Sequence, residues 1–204
     1  MKYLSRLILL VACLAAAQTP QAASSPTPAK PKADVPVKMA SLAPLVTQQF
    51  GPTFTLAPMP TVGAYTADFD GDGVEDVVFI ADSKDPLPDS YQFKYTVSDP
   101  YHSFFGFGDP RHTAGLGAAD PGHNHDLLVI FGAGPEAWRS ATPKAKFVLI
   151  NVPFDTIVIG RMLAKKNKPP IFTIHAQESR LMDSVVFYDA KKKKWKWQPG
   201  DTLE

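Results

Sequence analysis

Eight short runs rich in Val, Ile and Phe follow one another from Thr53 to the C-terminal end, most of them closed off by Gly, Pro, Asp or Asn. They are Thr53–Leu56, Asp76–Ile80, Leu127–Phe131, Phe147–Asn151, Thr156–Ile159, Ile171–His175, Val185–Tyr188 and Trp195–Gln198. Runs of this length and composition fit a pleated, half-buried surface and read as strands. No helical pattern alternates with them, so a doubly wound parallel sheet is not expected. Lys165–Pro170 and Asp189-Ala190 with the lysines that follow read as hairpin connections. The expected fold is mainly β: an antiparallel, β-rich single domain over residues 39–204. One short helix precedes the strands, over Ser41–Phe50. Ser41 is its expected N-cap, Pro44 falls in the first turn, and Gly51-Pro52 ends it.

The segment 83–124 breaks the strand rhythm. It is rich in Pro and Gly and carries Tyr91, Phe93, Tyr95, Tyr101, Phe104, Phe105 and Phe107. It reads as a long insertion, either a functional loop or a unit that folds partly on itself, with Gln92–Val97 as a short strand inside it.

The N-terminal residues read as an address. Lys2 and Arg6 precede an apolar run, Leu7–Ala17, that is long enough for the core of a signal peptide and too short to span a bilayer. Ala15-Ala16-Ala17 supplies small residues for cleavage before Gln18, which makes 1–17 the signal peptide. Leu10-Val11-Ala12-Cys13 also resembles the lipobox of bacterial lipoproteins; on that reading 1–12 is removed and Cys13 carries the lipid. Both routes export the chain, to the periplasm or medium, and Cys13 decides whether it is anchored to the outer membrane. Residues 18–38 are rich in Pro, Ala and Ser and form an expected extended tether, reaching roughly 60 Å at about 3.1 Å per residue.

Charge and cysteine count remove several functions. The net charge is +1, so there is no basic excess of the kind nucleic acid selects. The single cysteine lies in the leader, which excludes internal disulfides, thiol nucleophiles and Cys-based zinc sites from the domain. Neither a GxSxG elbow nor an SxxK pair occurs. Gly106-Phe107-Gly108 and Gly132-Ala133-Gly134 have no phosphate-loop lysine.

One motif carries specific chemistry: Asp68-Phe69-Asp70-Gly71-Asp72-Gly73-Val74-Glu75-Asp76. Calcium takes 6–8 oxygen ligands, and carboxylates at alternating positions of a tight loop can converge on it. Asp68, Asp70 and Asp72 take positions one, three and five, the Val74 carbonyl position seven, and Asp76 position nine. Gly73 permits the sharp turn between them. Four carboxylates so close repel one another without a cation. An EF-hand needs a bidentate Glu at position twelve entering a helix, but Phe79 stands there, inside a β-branched run. A DFDGDGxxDVV loop that runs straight into a strand resembles the FG-GAP/VCBS repeats of integrin-like β-propellers. Asp126–Gly134, DLLVIFGAG, resembles the strand and FG turn that follow in such a repeat. The resemblance implies an extracytoplasmic calcium-binding protein that serves adhesion or ligand binding, with a protein or glycan ligand at the cell envelope. It covers a single loop; a closed propeller needs 4–8 four-stranded blades, and the strands counted here would make about two.

A second constellation gives the alternative reading. His102, His112, His123 and His125 lie in the Gly/Pro-rich segment, with Asp109, Asp120 and Asp126 among them. His123, His125 and Asp126 could supply two imidazoles and a carboxylate to a metal in a cell-envelope hydrolase. No HExxH motif accompanies them, and solvated or hydrogen-bonded loop histidines are the simpler account. His175, within an apolar strand, reads as a core or edge residue. Lys191–Lys194 followed by Trp195-Lys196-Trp197 reads as a lysine-rich turn with two tryptophans on one strand face. Such a turn can also meet anionic glycan or lipid head groups.

Overall fold

The computed structural model describes residues 39–58, 63–107, 125–163, 169–178 and 182–200. The leader with Cys13, the tether, His112, His123 and residues 165–168 of the Lys165–Pro170 connection lie outside them. The described residues all belong to one compact unit, Asp34–Glu204. Among them no helix is long and apolar enough to cross a membrane.

The protein is mainly β. Helix α1, Met39–Phe50, leads into β1 (Phe54–Leu56), β2 (Tyr65–Ala67) and β3 (Asp76–Ser83). Two short helices, α2 (Ser90–Phe93) and α3 (Pro100–Phe104), flank β4 (Thr96–Ser98). After β5 (Asp126–Phe131) a 3-10 helix, Gly134–Arg139, precedes β6 (Ala145–Leu149). The strands β7 (Thr156–Met162), β8 (Ile171–Glu178), β9 (Met182–Asp189) and β10 (Lys194–Pro199) complete the chain. All eight sequence-predicted strands are present, within a few residues at each end.

The strands form two sheets. The larger has the order β1-β3-β5-β6-β4, with β2 also paired to β3; the smaller is the meander β10-β9-β8-β7. β3 lies antiparallel to β5 with Val77 opposite Ile130 and Ala81 opposite Asp126. Alternation along β3 and β5 sends their side chains into two cores. Val78, Ile80, Leu127, Val129 and Phe131 join Phe69, Ile174, Val186 and Trp195 between the sheets. Val77, Phe79, Leu128 and Ile130 join Leu42, Val46, Phe50 and Trp138 beneath α1. Both faces of β3 and β5 are therefore buried, which is why their sequences are continuous apolar runs rather than alternating ones.

Three expectations change, and one left open is decided. Helix α1 begins at Met39 rather than after Ser41, so Ser41 lies within it and Pro44 stands deeper than the first turn. Gly51 does end it, at φ +98°, a conformation that costs glycine nothing, and its N–H reaches the Thr47 carbonyl at 3.0 Å. Of the two readings of segment 83–124, its described residues fit the partly folded one: β3 runs on to Ser83, and residues 90–104 fold as helix, strand and helix. The strand expected at Gln92–Val97 falls at Thr96–Ser98, because α2 takes Gln92 and Phe93 and Lys94 turns left-handed at φ 55° to close it. Finally, β4 pairs parallel to β6, Val97 opposite Val148, an exception to the antiparallel expectation. A parallel neighbour needs a long crossover, and the chain between β4 and β6 passes through β5 and the 3-10 helix to supply it.

Candidate metal centre

The acidic loop fills the turn between β2 and β3 and is built on backbone hydrogen bonds to its own carboxylates. Asp68 Oδ1 accepts from the N–H of Gly71 at 2.8 Å and of Asp72 at 3.0 Å, and its Oδ2 from Gly73 N–H at 2.8 Å. Asp70 Oδ1 accepts from Asp72 N–H at 3.2 Å, and Asp72 Oδ1 from Val74 N–H at 2.8 Å. Gly71 and Gly73 have φ of +77° and +89°, so the glycines are where the winding demands left-handed backbone.

Asp76 closes the loop from inside the protein. It is 1% exposed, and its two oxygens accept from Phe69 N–H and Gly132 N–H, each at 2.8 Å. The second bond ties the loop to the turn after β5, the turn read from the sequence as FG-containing. A Cβ on Gly132 would stand 2.3 Å from the Glu75 carbonyl oxygen, so the approach requires glycine. Glu75 in turn accepts from the Trp138 indole N–H at 2.9 Å.

Of the five expected ligands, Asp68, Asp70 and Asp76 converge: one carboxylate oxygen from each lies within 4.8 Å of the others. Two oxygens that each sit about 2.3–2.6 Å from one ion are at most about 5 Å apart, so the spacing suits a hard cation held by carboxylates. Each carboxylate offers about four lone-pair sites, and the backbone bonds leave some free. Asp72 is exposed and turns instead to Lys144, whose ammonium lies 2.5 Å from Asp72 Oδ2 and 2.6 Å from Asp70 Oδ2. Val74 sits half-buried in the loop and gives its N–H to Asp72.

The electrostatics differ from one carboxylate to the next. Burial, reinforced by Asp70 and Asp68, pushes Asp76 up to about 7 against the pull of its two backbone donors. Burial also opposes ionisation of Asp72, but the Lys144 ammonium and the Val74 N–H outweigh it and hold its carboxyl below the usual range. Hydrogen bonds to Asp70 and Asp72 hold the Lys144 ammonium well above its ordinary value.

Lys144 and Trp138 are parts of this site that no local motif announces. Lys144 follows Asp72 by 72 residues in the chain and arrives at the head of β6, where its own N–H donates to the Phe131 carbonyl at 3.0 Å.

The alternative histidine constellation is arranged differently. His123 lies outside the described residues. His125 Nδ1 is 2.5 Å from Asp82 Oδ1, and Asp126 Oδ2 accepts from the Ser83 hydroxyl at 2.5 Å. The described pair thus takes two different partners across the β3–β5 edge, and His102 is held by Asp99 at 2.7 Å, with Asn151 donating to the same Asp99 oxygen at 2.6 Å. Among the described residues, the Asp68, Asp70 and Asp76 group is the one cluster with metal-ligand spacing.

Compared with protein-family models, curated proteins and solved structures, the chain gives no match.

Proposed function

We propose that the chain is an exported, non-enzymatic calcium-binding domain in which the ion staples the 68–76 loop to the sheet and supports binding of a partner at the cell envelope. The convergence of Asp68, Asp70 and Asp76 carries this reading, because three oxygen donors at that spacing match a hard cation. A donor set made only of oxygen favours calcium over zinc, which prefers nitrogen and sulfur. In this role Asp68, Asp70 and Asp76 hold the ion, Asp72 and the Val74 carbonyl complete its shell, and the ion supplies charge neutralisation alone. Calcium that binds only the folded loop adds stability through linkage. The partner is a protein or a glycan. Phe104 and Phe105, 49% and 54% exposed and packed on Trp197, offer ring faces to such a ligand, and Phe107, 55% exposed, lies against His102.

Isothermal titration of the full chain with calcium chloride tests the reading. One ion per chain is expected, with binding lost in Asp68→Ala and in Asp70→Ala. No binding at millimolar calcium would sink it. Stoichiometric zinc that depends on His123 and His125 would favour the hydrolase instead.

A further inference from the structure

The loop already contains a cation, and it belongs to the protein. Lys144 places its ammonium 2.6 Å from Asp70 Oδ2 and 2.5 Å from Asp72 Oδ2. Asp70 is therefore shared: it belongs both to the converging trio and to the lysine. One carboxylate cannot give full strength to two cations at once, and two cations this close repel. The lysine is also built to leave. Its backbone is fixed at the head of β6 by the bond to Phe131, whereas its side chain is 47% exposed and carries a flexible four-carbon stem. The ammonium can swing into water, at the cost of its bonds to the nearly buried Asp70 carboxylate and to Asp72.

We infer that Lys144 is the affinity-determining residue of the calcium loop: a tethered ammonium that occupies the Asp70–Asp72 side of the loop when metal is absent and must be displaced when calcium binds. The inference rests on the calcium reading and extends it. The tethered cation relieves the repulsion among Asp68, Asp70, Asp72 and Asp76, so the loop holds its winding without metal. Calcium then has to outcompete it, which sets the affinity below that of the same loop without the lysine. Release of Asp72 from Lys144 frees the position-five carboxylate to turn toward the ion. Asp72 thus has a metal-free partner and a metal-bound role, and Lys144 decides between them.

The experiment compares calcium binding by isothermal titration in the full-length wild-type chain and in Lys144→Met, Lys144→Gln and Lys144→Arg. Lys144→Met and Lys144→Gln are expected to bind calcium about tenfold or more tightly, and Lys144→Arg to stay near wild type, because it keeps the competing charge. Labelling the wild type with a lysine-selective acylating reagent, read by mass spectrometry, should show Lys144 modified several-fold faster once calcium is added. Equal affinity in all four proteins would overturn the role of Lys144 while leaving the calcium reading intact. Weaker binding in Lys144→Met and Lys144→Gln would also overturn it, and would make Lys144 an organiser of the loop. Absence of calcium binding in wild type and variants alike would overturn both.

Discussion

The paired strands β3 and β5 carry acidic groups at both ends, and the two ends treat them in opposite ways. At the Asp76 end, carboxylates from one tight loop converge and are satisfied by backbone N–H groups and by Lys144. At the Asp126 end, each acid is separately partnered across the strands, Asp82 by His125 and Asp126 by the Ser83 hydroxyl. Convergence brings several carboxylate oxygens to one point, which is what a cation needs. Separate pairing leaves no such shared point. Proximity of acidic residues in the chain is thus a poor guide to metal, and the direction in which the oxygens are driven decides.

Removing Asp76 is the strongest way to break this contrast. Asp76→Ala orphans the buried N–H groups of Phe69 and Gly132 and unties the loop from the turn after β5. A loss of about 3 kcal/mol is expected from urea unfolding in metal-free buffer. A loss under about 1 kcal/mol would show that the loop is not tied into the fold through this residue.

At the other end the expected sign reverses. Burial, with the Asp82 charge added, pushes Asp126 up to about 7 even though the Ser83 hydroxyl favours its ionised form. The folded state therefore holds the Asp126 proton more tightly than the unfolded chain, whose carboxyl titrates near 4. The folded state's advantage from this group is complete below about pH 4 and is lost as pH rises through about 7. Asp126→Asn should keep an acceptor for Ser83 and remove that loss. About 2 kcal/mol of added stability is expected at pH 8, less than the full shift would carry because solvent still reaches the group, and little change at pH 4. Urea midpoints of the variant and wild type at the two pH values check this, and a destabilised Asp126→Asn at pH 8 would refute the ionisation argument.

The smallest effect is expected at the His125–Asp82 pair, whose side chains are 37% and 47% exposed. Asp82→Asn should cost less than about 1 kcal/mol, and less still in high salt. A cost as large as that of Asp76→Ala would mean that the two ends are not different in kind.

Much of this molecule was legible before its structure. The runs at Asp76–Ile80 and Leu127–Phe131 read as strands because β-branched and aromatic residues between Asp and Gly breaks leave few alternatives. The loop was legible because alternate Asp residues with glycines between them have few other uses. What sequence reading missed follows from distance along the chain. Strand β4 has three residues and pairs with β6, some 50 residues later, so no local period announces it. Strand β2, Tyr65–Ala67, is equally short and is defined by its pairing to β3. The helices inside the insertion are illegible for the same reason: α2 and α3 are one-turn helices with no room for an amphipathic pattern.

The amino-acid sequence alone determined the β class, the position of the acidic loop and the conformational freedom at Gly71 and Gly73, since these rest on local sterics and side-chain period. Only the tertiary structure decided which carboxylates meet. Asp72 carries the same local signal as Asp68 and Asp70, yet it faces Lys144, and Asp76 turns inward to Gly132. Those assignments depend on partners 72 and 56 residues away in the chain, brought in by β5 and β6. A carboxylate's role is set by the field and donors around it, and here the sheet supplies both.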